Sequence, residues 1–325
     1  MKKTTLSLLL LTLLLGCKKD SFEEVKVKLQ KIDEIEDYPD SSLFIGATSM
    51  YSANDKIYIL DKSRGDVASF DENFEEFNVF GKFGMGPEEL NIPTGFFVTK
   101  DSVFVFDQGA GGIKLFTDSK YNKTIRIPGG NYPTRFFLYN DLIFSTHITE
   151  NTNFVIADIN DTDAEIKQIG EPFKFPSTFQ TMIRNHKLLY QSDLLFFAVS
   201  DNLPIIQIYD LENYSLIEEF DYSNIPTVKQ TLNFIKEKIP LNEKSYTVSI
   251  NDAYLHNNAI FILWATRVDG YKVKTIFKFN IEGESLVYNK TYILPGEYYT
   301  TFCVSDKYIF AYNEDNHTMD KIELH

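Results

Sequence analysis

Of 325 residues only two are cysteine, Cys17 and Cys303. Two thiols give neither a disulfide framework nor a cysteine-based metal site. The fold must therefore stand on its apolar core, which a chain of this length buries easily. Positive charge is also short. Lysine and arginine total 32 against 46 acidic residues, a net charge of −14. Such a surface repels phosphate backbones, so nucleic acid is excluded as a partner. Arginine is rare, at Arg64, Arg126, Arg135, Arg184 and Arg267, and Trp264 is the sole tryptophan. The longest apolar run, residues 6–15, is too short to cross a bilayer as a helix, and no other segment is long and apolar enough. What is abundant is Phe and Tyr, 28 and 19 residues, which with Ile and Val favour strands.

The start of the chain is read as an address rather than as fold. Lys2 and Lys3 precede the apolar run 6–15, the pattern of a secretory signal. The run ends in Leu14-Leu15-Gly16-Cys17, which resembles the lipobox of bacterial lipoproteins. That resemblance implies cleavage after residue 16, a lipid on Cys17, and attachment to the membrane through acyl chains. Residues 17–24 then form a polar tether, and 25–325 the folded domain. Loss of Lys2 and Lys3 takes the charge to −16. With Cys17 lipidated, Cys303 has no intramolecular partner. The expected location is the outer membrane, on its periplasmic or outer surface.

One pattern recurs along the remainder: an Asn or Asp turn, an apolar strand, a polar turn and a second strand. Its copies begin at residues 54, 100, 139, 192, 257 and 305. The spacing of about forty to fifty residues, with one longer gap, is that of a four-stranded propeller blade. The reading is all-β: six four-stranded antiparallel blades in a ring, in preference to a β-sandwich array or two barrels. The last copy lacks a fourth strand. Residues 25–29 alternate with period two and are the candidate to supply it, closing the ring with both termini and leaving no long sheet edge.

Residues 81–98 carry spaced glycines, Gly86-Pro87-Glu88 and a second proline, Pro93, before the next apolar strand. They resemble the signature of NHL-type repeats, in the wider superfamily of TolB-like propellers. The resemblance implies a six-bladed ring whose relatives include binding proteins and metal-dependent lyases or hydrolases, so it leaves activity open. A phosphate loop is excluded at the same glycines, because no Lys-Ser/Thr and no βαβ unit follow.

Propellers of this kind present ligand sites on the face formed by the second-to-third-strand loops and the blade-to-blade crossovers. The loops assigned there are 61–66, 107–112, 146–152, 199–203, 264–270 and 312–318. The crossovers are 81–94, 128–135, 171–186, 221–247 and 295–301. Arg64, Arg135, Arg184 and Arg267 all fall on that face, where planar guanidinium forks suit an anionic glycan or peptide. Trp264, Tyr132, Tyr298 and Tyr299 are the candidate stacking surfaces. The alternative is that each arginine pairs with a neighbouring carboxylate such as Asp61, Asp66 or Asp269. The crossover 221–247 has apolar residues at helical spacing between Pro226 and Pro240, predicting a short amphipathic helix over blades four and five, as a lid or a packing insert.

Catalytic signals are sparse. His147, His186 and His317 fall on or near the ligand face and, as the propeller lyases imply, could hold zinc or calcium. No cofactor is otherwise expected. Residues 160–165 resemble a calcium loop only in part and read better as a hairpin turn. No serine elbow is present, and Arg64-Gly65-Asp66 reads as a turn rather than an adhesion motif. The leading expectation is therefore an exported lipoprotein that binds an extracellular ligand. A metal-dependent lyase or hydrolase and a platform for other envelope proteins are the alternatives.

Overall fold

The computed structural model describes residues 23–127, 135–161, 166–239 and 246–324. The expected leader, Cys17 and Tyr132 lie outside them. Six antiparallel blades follow one another along the chain, giving the expected propeller. The inner strands are Ala47–Ala53, Pro93–Val98, Phe137–Tyr139, Lys187–Ser192, Ile250–His256 and Tyr299–Val304.

The repeated Asn and Asp residues have a backbone cause. Asn54 and Asp55 adopt φ of 54° and 58°, Asn140 and Asp141 49° and 62°, and Asn257 and Asn258 45° and 58°. Two successive left-handed residues make the tight hairpin whose twist matches paired strands, and Asn and Asp tolerate that region best. Each turn joins an inner strand to a second strand that is apolar on both faces. Lys56–Asp61 is buried from Ile57 onward, and Ala259–Thr266 up to Ala265. Both sides of a blade are covered by its neighbours, so alternation is lost there. It returns only at the rim, as in the half-exposed Leu216–Asp221.

Aromatic rings join blade to blade. Within the third blade Phe137 stacks on Phe144 at 4.6 Å and within the fourth Phe196 stacks on Tyr209 at the same distance, while Phe137 and Phe144 both meet Phe196 across the boundary between the two blades. Phe154 packs edge-on against both Phe196 and Tyr209. Each such pair contributes roughly 0.5–1.5 kcal/mol beyond its buried area.

Ring closure follows the expectation in kind but not in residues. The fourth strand of the last blade is β2 (Lys31–Ile35), antiparallel to Thr318–Glu323. The segment expected there instead forms β1 (Lys26–Lys28), which lies parallel to Ser285–Ile293 and adds a fifth strand to the fifth blade. Leu29 makes the handover: its N–H donates to the Ile293 carbonyl at 3.0 Å and its side chain is buried. Period two identified a strand, but period alone carries no partner.

Glu24, expected to end a polar tether, is docked on the propeller. Its carboxylate accepts from the Thr227 N–H at 3.1 Å, from the Thr227 hydroxyl at 2.8 Å and from Thr291 at 3.0 Å. Thr227 opens the predicted helix, now α2 (Pro226–Lys238) after α1 (Thr178–Ile183). Ile225 at the α2 N-cap position offers no side-chain acceptor, so Glu24 serves as a cap from the far end of the chain. Val228, Thr231 and Ile235 are buried, and Val228 packs into the core of blades four and five. The helix is thus a packing insert between those blades.

Candidate functional site

The glycine crossover is built for structure. Gly81 has φ 80°, and a side chain there would strike Leu90 at 2.9 Å. The Lys114 ammonium donates to the carbonyls of Gly86 and Glu89 and lies 3.3 Å from the buried Asp107. Asp107 in turn accepts from the N–H groups of Asn91, Ile92 and Gly109. Lysine here holds the loop closed through its own carbonyls.

The four face arginines do not form one funnel. Arg64 is clamped by Asp66 and Asp40, each at 2.9 Å, over the Tyr38 ring. Arg135 is 2% exposed and crosses the ring axis. Its guanidinium pairs with Asp252 through two bonds of 3.0 and 2.6 Å and donates to the carbonyls of Met50 and Phe302. It thereby ties the third blade to the fifth, first and sixth. Burial works against its charge, but the Asp252 carboxylate outweighs that and raises its pKa. Two of the four guanidinium groups are thus committed to internal carboxylates.

Arg184 and Arg267 are half-buried and form no ion pair among the described residues. Arg184 lies over Phe175 at 4.0 Å, and Arg267 over Tyr271 at 4.6 Å while donating to the Val248 carbonyl. Tyr298 is half-buried, with its ring 5.7 Å from Tyr271. Trp264 and Tyr299 are corrected as stacking surfaces, because both are fully buried. The Trp264 indole N–H points to Thr231 of α2 at 3.4 Å, and the Tyr299 hydroxyl donates to Asp320 at 2.8 Å. The histidines do not converge. Among the described residues no three His, Cys, Asp or Glu side chains are grouped to hold a metal ion. His317 is exposed and faces the Tyr312 hydroxyl at 3.1 Å, and His186 is likewise exposed.

The axis carries a feature that the residue search missed. Five inner strands place an aromatic residue three positions before their hairpin turn: Tyr51, Phe97, Phe137, Tyr190 and Tyr254. Strand register makes them equivalent, since each pairs with the residue seven positions on. The sixth blade puts Cys303, paired with Phe310, at this place. The five rings line an axial pit of about 90 Å³ whose floor is Arg135. Tyr51 contacts both Phe97 and Tyr254 edge-on, at 5.6 and 5.7 Å. Half-buried Tyr51, Phe97, Gln191 and Leu255 set the pit on the face of the hairpin turns, opposite the face expected. The constant three-residue offset was present in the sequence and is the signal that finds this site.

Beside the pit on the same face lies a polar cleft of about 570 Å³ among the hairpins of blades five, six and one. Asp55, Asp71, Glu72 and Asp306 line it, with His256, Lys307 and Ser305. Pit and cleft are joined through the chain, for Ser52 follows Tyr51 and His256 follows Leu255.

No family model and no curated protein matches this chain. Solved structures do. A Bacteroides fragilis protein assigned to export is 14% identical with a TM-score of 0.57, covering 93% of this chain and 99% of its own. Virginiamycin B lyase from Staphylococcus aureus is 14% identical with a TM-score of 0.51, covering 91% and 99%. The β-propeller domain of Swd1 from Myceliophteria thermophila is 11% identical with a TM-score of 0.54, covering 91% and 100%. The chain is a six-bladed β-propeller. At these identities the likeness speaks for the fold alone.

Proposed function

We propose that this propeller is an exported, lipid-anchored binding protein of the cell envelope, and that it receives its ligand on the hairpin face, at the axial pit. The basic start, the apolar run and Leu14-Leu15-Gly16-Cys17 support export and lipidation. The spaced glycines support kinship with NHL-type propellers. The observation that carries the binding reading is the row of five aromatic side chains around one axis above a saturated Arg135. Such walls offer apolar and stacking surface, the material of recognition. The single charged group at the pit has its guanidinium occupied by Asp252 and two carbonyls, which favours binding over catalysis.

Ligand-observed NMR with p-cresol tests this. Saturation transfer to p-cresol is expected for the native protein and for Arg267→Ala. It is expected to vanish in Gln191→Trp, where a ring at the rim fills the pit. Transfer that survives Gln191→Trp but disappears in Arg267→Ala would move the site back to the crossover face.

A further inference from the structure

We infer that the natural ligand is a cationic peptide segment, with one apolar side chain in the axial pit and a basic side chain in the acidic cleft beside it. This rests on the hairpin-face reading and adds the ligand's chemistry.

Size sets the first constraint. Sites for whole small molecules run to roughly 300–1,000 Å³. The pit, about 90 Å³, takes no more than one aliphatic or aromatic side chain. The cleft, about 570 Å³, has room for a further stretch of ligand. A ligand that uses both must be extended, with unlike groups a short distance apart, as successive side chains of a peptide are.

Charge sets the second. Four carboxylates line the cleft against the single ammonium of Lys307 and the His256 imidazole. Two of the four are engaged. Asp306 accepts from Asn257 at 2.6 Å and meets His256 at 3.0 Å, and Asp71 accepts from the Glu75 and Glu76 N–H groups. Asp55 and Glu72 carry no side-chain hydrogen bond or ion pair among the described residues. The carboxylates do not gather into a metal-binding group, so an extended organic cation suits them better than an ion.

An independent observation points to a ligand here. Ser305 is 6% exposed and lines the cleft, yet its hydroxyl has no hydrogen-bond partner among the described residues. A buried hydroxyl left unpaired costs about 1–3 kcal/mol, a cost that a ligand donor or acceptor, or a water held with it, removes. It directly follows the sixth inner strand and directly precedes Asp306, one of the cleft carboxylates.

The test is titration calorimetry of the native protein at low ionic strength with three capped tripeptides. The first is phenylalanine followed by two arginines, the second phenylalanine followed by two glutamates, the third glycine followed by two arginines. The first is expected to bind most tightly, and to weaken with added salt. The double variant Asp55→Asn with Glu72→Gln is expected to weaken it by roughly tenfold, the effect of two exposed ion pairs. Asparagine suits the left-handed backbone at position 55, so this variant keeps the hairpin. Equal binding of the arginine and glutamate peptides, or no effect of the double variant, overturns the cationic assignment while the pit reading stands. No binding by either phenylalanine peptide overturns both.

Discussion

Arg135 and Asp252 stand 117 positions apart in the chain and meet across the propeller axis in two bonds of 3.0 and 2.6 Å. Asp252 also accepts from the Thr301 hydroxyl and from the N–H groups of Phe302 and Ala253. Two buried charges are held where every blade converges, and removal of one leaves the other unpaired in a low-dielectric centre. Arg135→Ala and Asp252→Ala are each expected to lose about 3–5 kcal/mol in urea unfolding. The double variant should lose clearly less than their sum, because neither charge then remains. Additive losses would mean that the pair contributes no mutual stabilisation.

A second buried cation gives a pH signature. Lys187 is 3% exposed, lies over the Phe173 ring at 4.0 Å and, among the described residues, has no hydrogen-bond partner for its ammonium. Burial pushes its pKa down to about 7, against partial support from Asp201 and Glu219. Between that value and the ordinary lysine range, the unfolded chain binds a proton that the folded chain does not. The penalty on folding is therefore complete below pH about 7 and fades as pH rises toward the unfolded value. Lys187→Met is expected to stabilise the protein by roughly 2–4 kcal/mol at pH 6 and by little at pH 10. Measurement is by urea midpoints across that range. A pH-independent gain would contradict the assignment.

Glu24 caps α2 from outside the helix, so its loss should act locally. Glu24→Ala is expected to cost about 1 kcal/mol, the ordinary value of an N-cap. Hydrogen exchange should quicken at the Thr227 amide and the first turn of α2, with the inner strands unchanged. Uniform acceleration across the fifth blade would show instead that β1 needs Glu24 to stay paired.

Trp264 offers an optical reading of the same region. It is fully buried beside Tyr222 and Phe277, and its indole N–H reaches Thr231 on α2. Its emission should be blue-shifted in the native state and move to the red only when the blade unfolds. Thr231→Ala should leave the fold intact and shift the native emission slightly. An emission maximum typical of exposed indole in the native protein would contradict this packing.

Blade number and order were legible because they are local. Asn and Asp residues with positive φ mark the hairpins of the first, third, fourth and fifth blades, and the flanking apolar runs mark the strands of all six. The α2 helix was legible from the spacing of Val228, Leu232 and Ile235 between two prolines. The candidate site was less so. Arg64 has Asp66 two positions away, and that pairing was among the alternatives. Asp252 is in a different blade from Arg135, and no local pattern announces it. Residues 25–29 failed for a like reason: alternation defines a strand, while its partner depends on which sheet edge remains open. The aromatic row at Tyr51, Phe97, Phe137, Tyr190 and Tyr254 was written at a constant offset from the turns, but its meaning needs the ring, which brings those offsets to one axis.

The measurement that bears most directly on the hairpin-face site is a crystal structure of the protein soaked with indole or p-cresol. The account predicts ring density in the pit between Tyr51, Phe97, Tyr190 and Tyr254, above an undisturbed Arg135–Asp252 pair. Density confined to the opposite face, beside Arg267, Tyr271 and Tyr298, with the pit empty at saturating concentration, would contradict it.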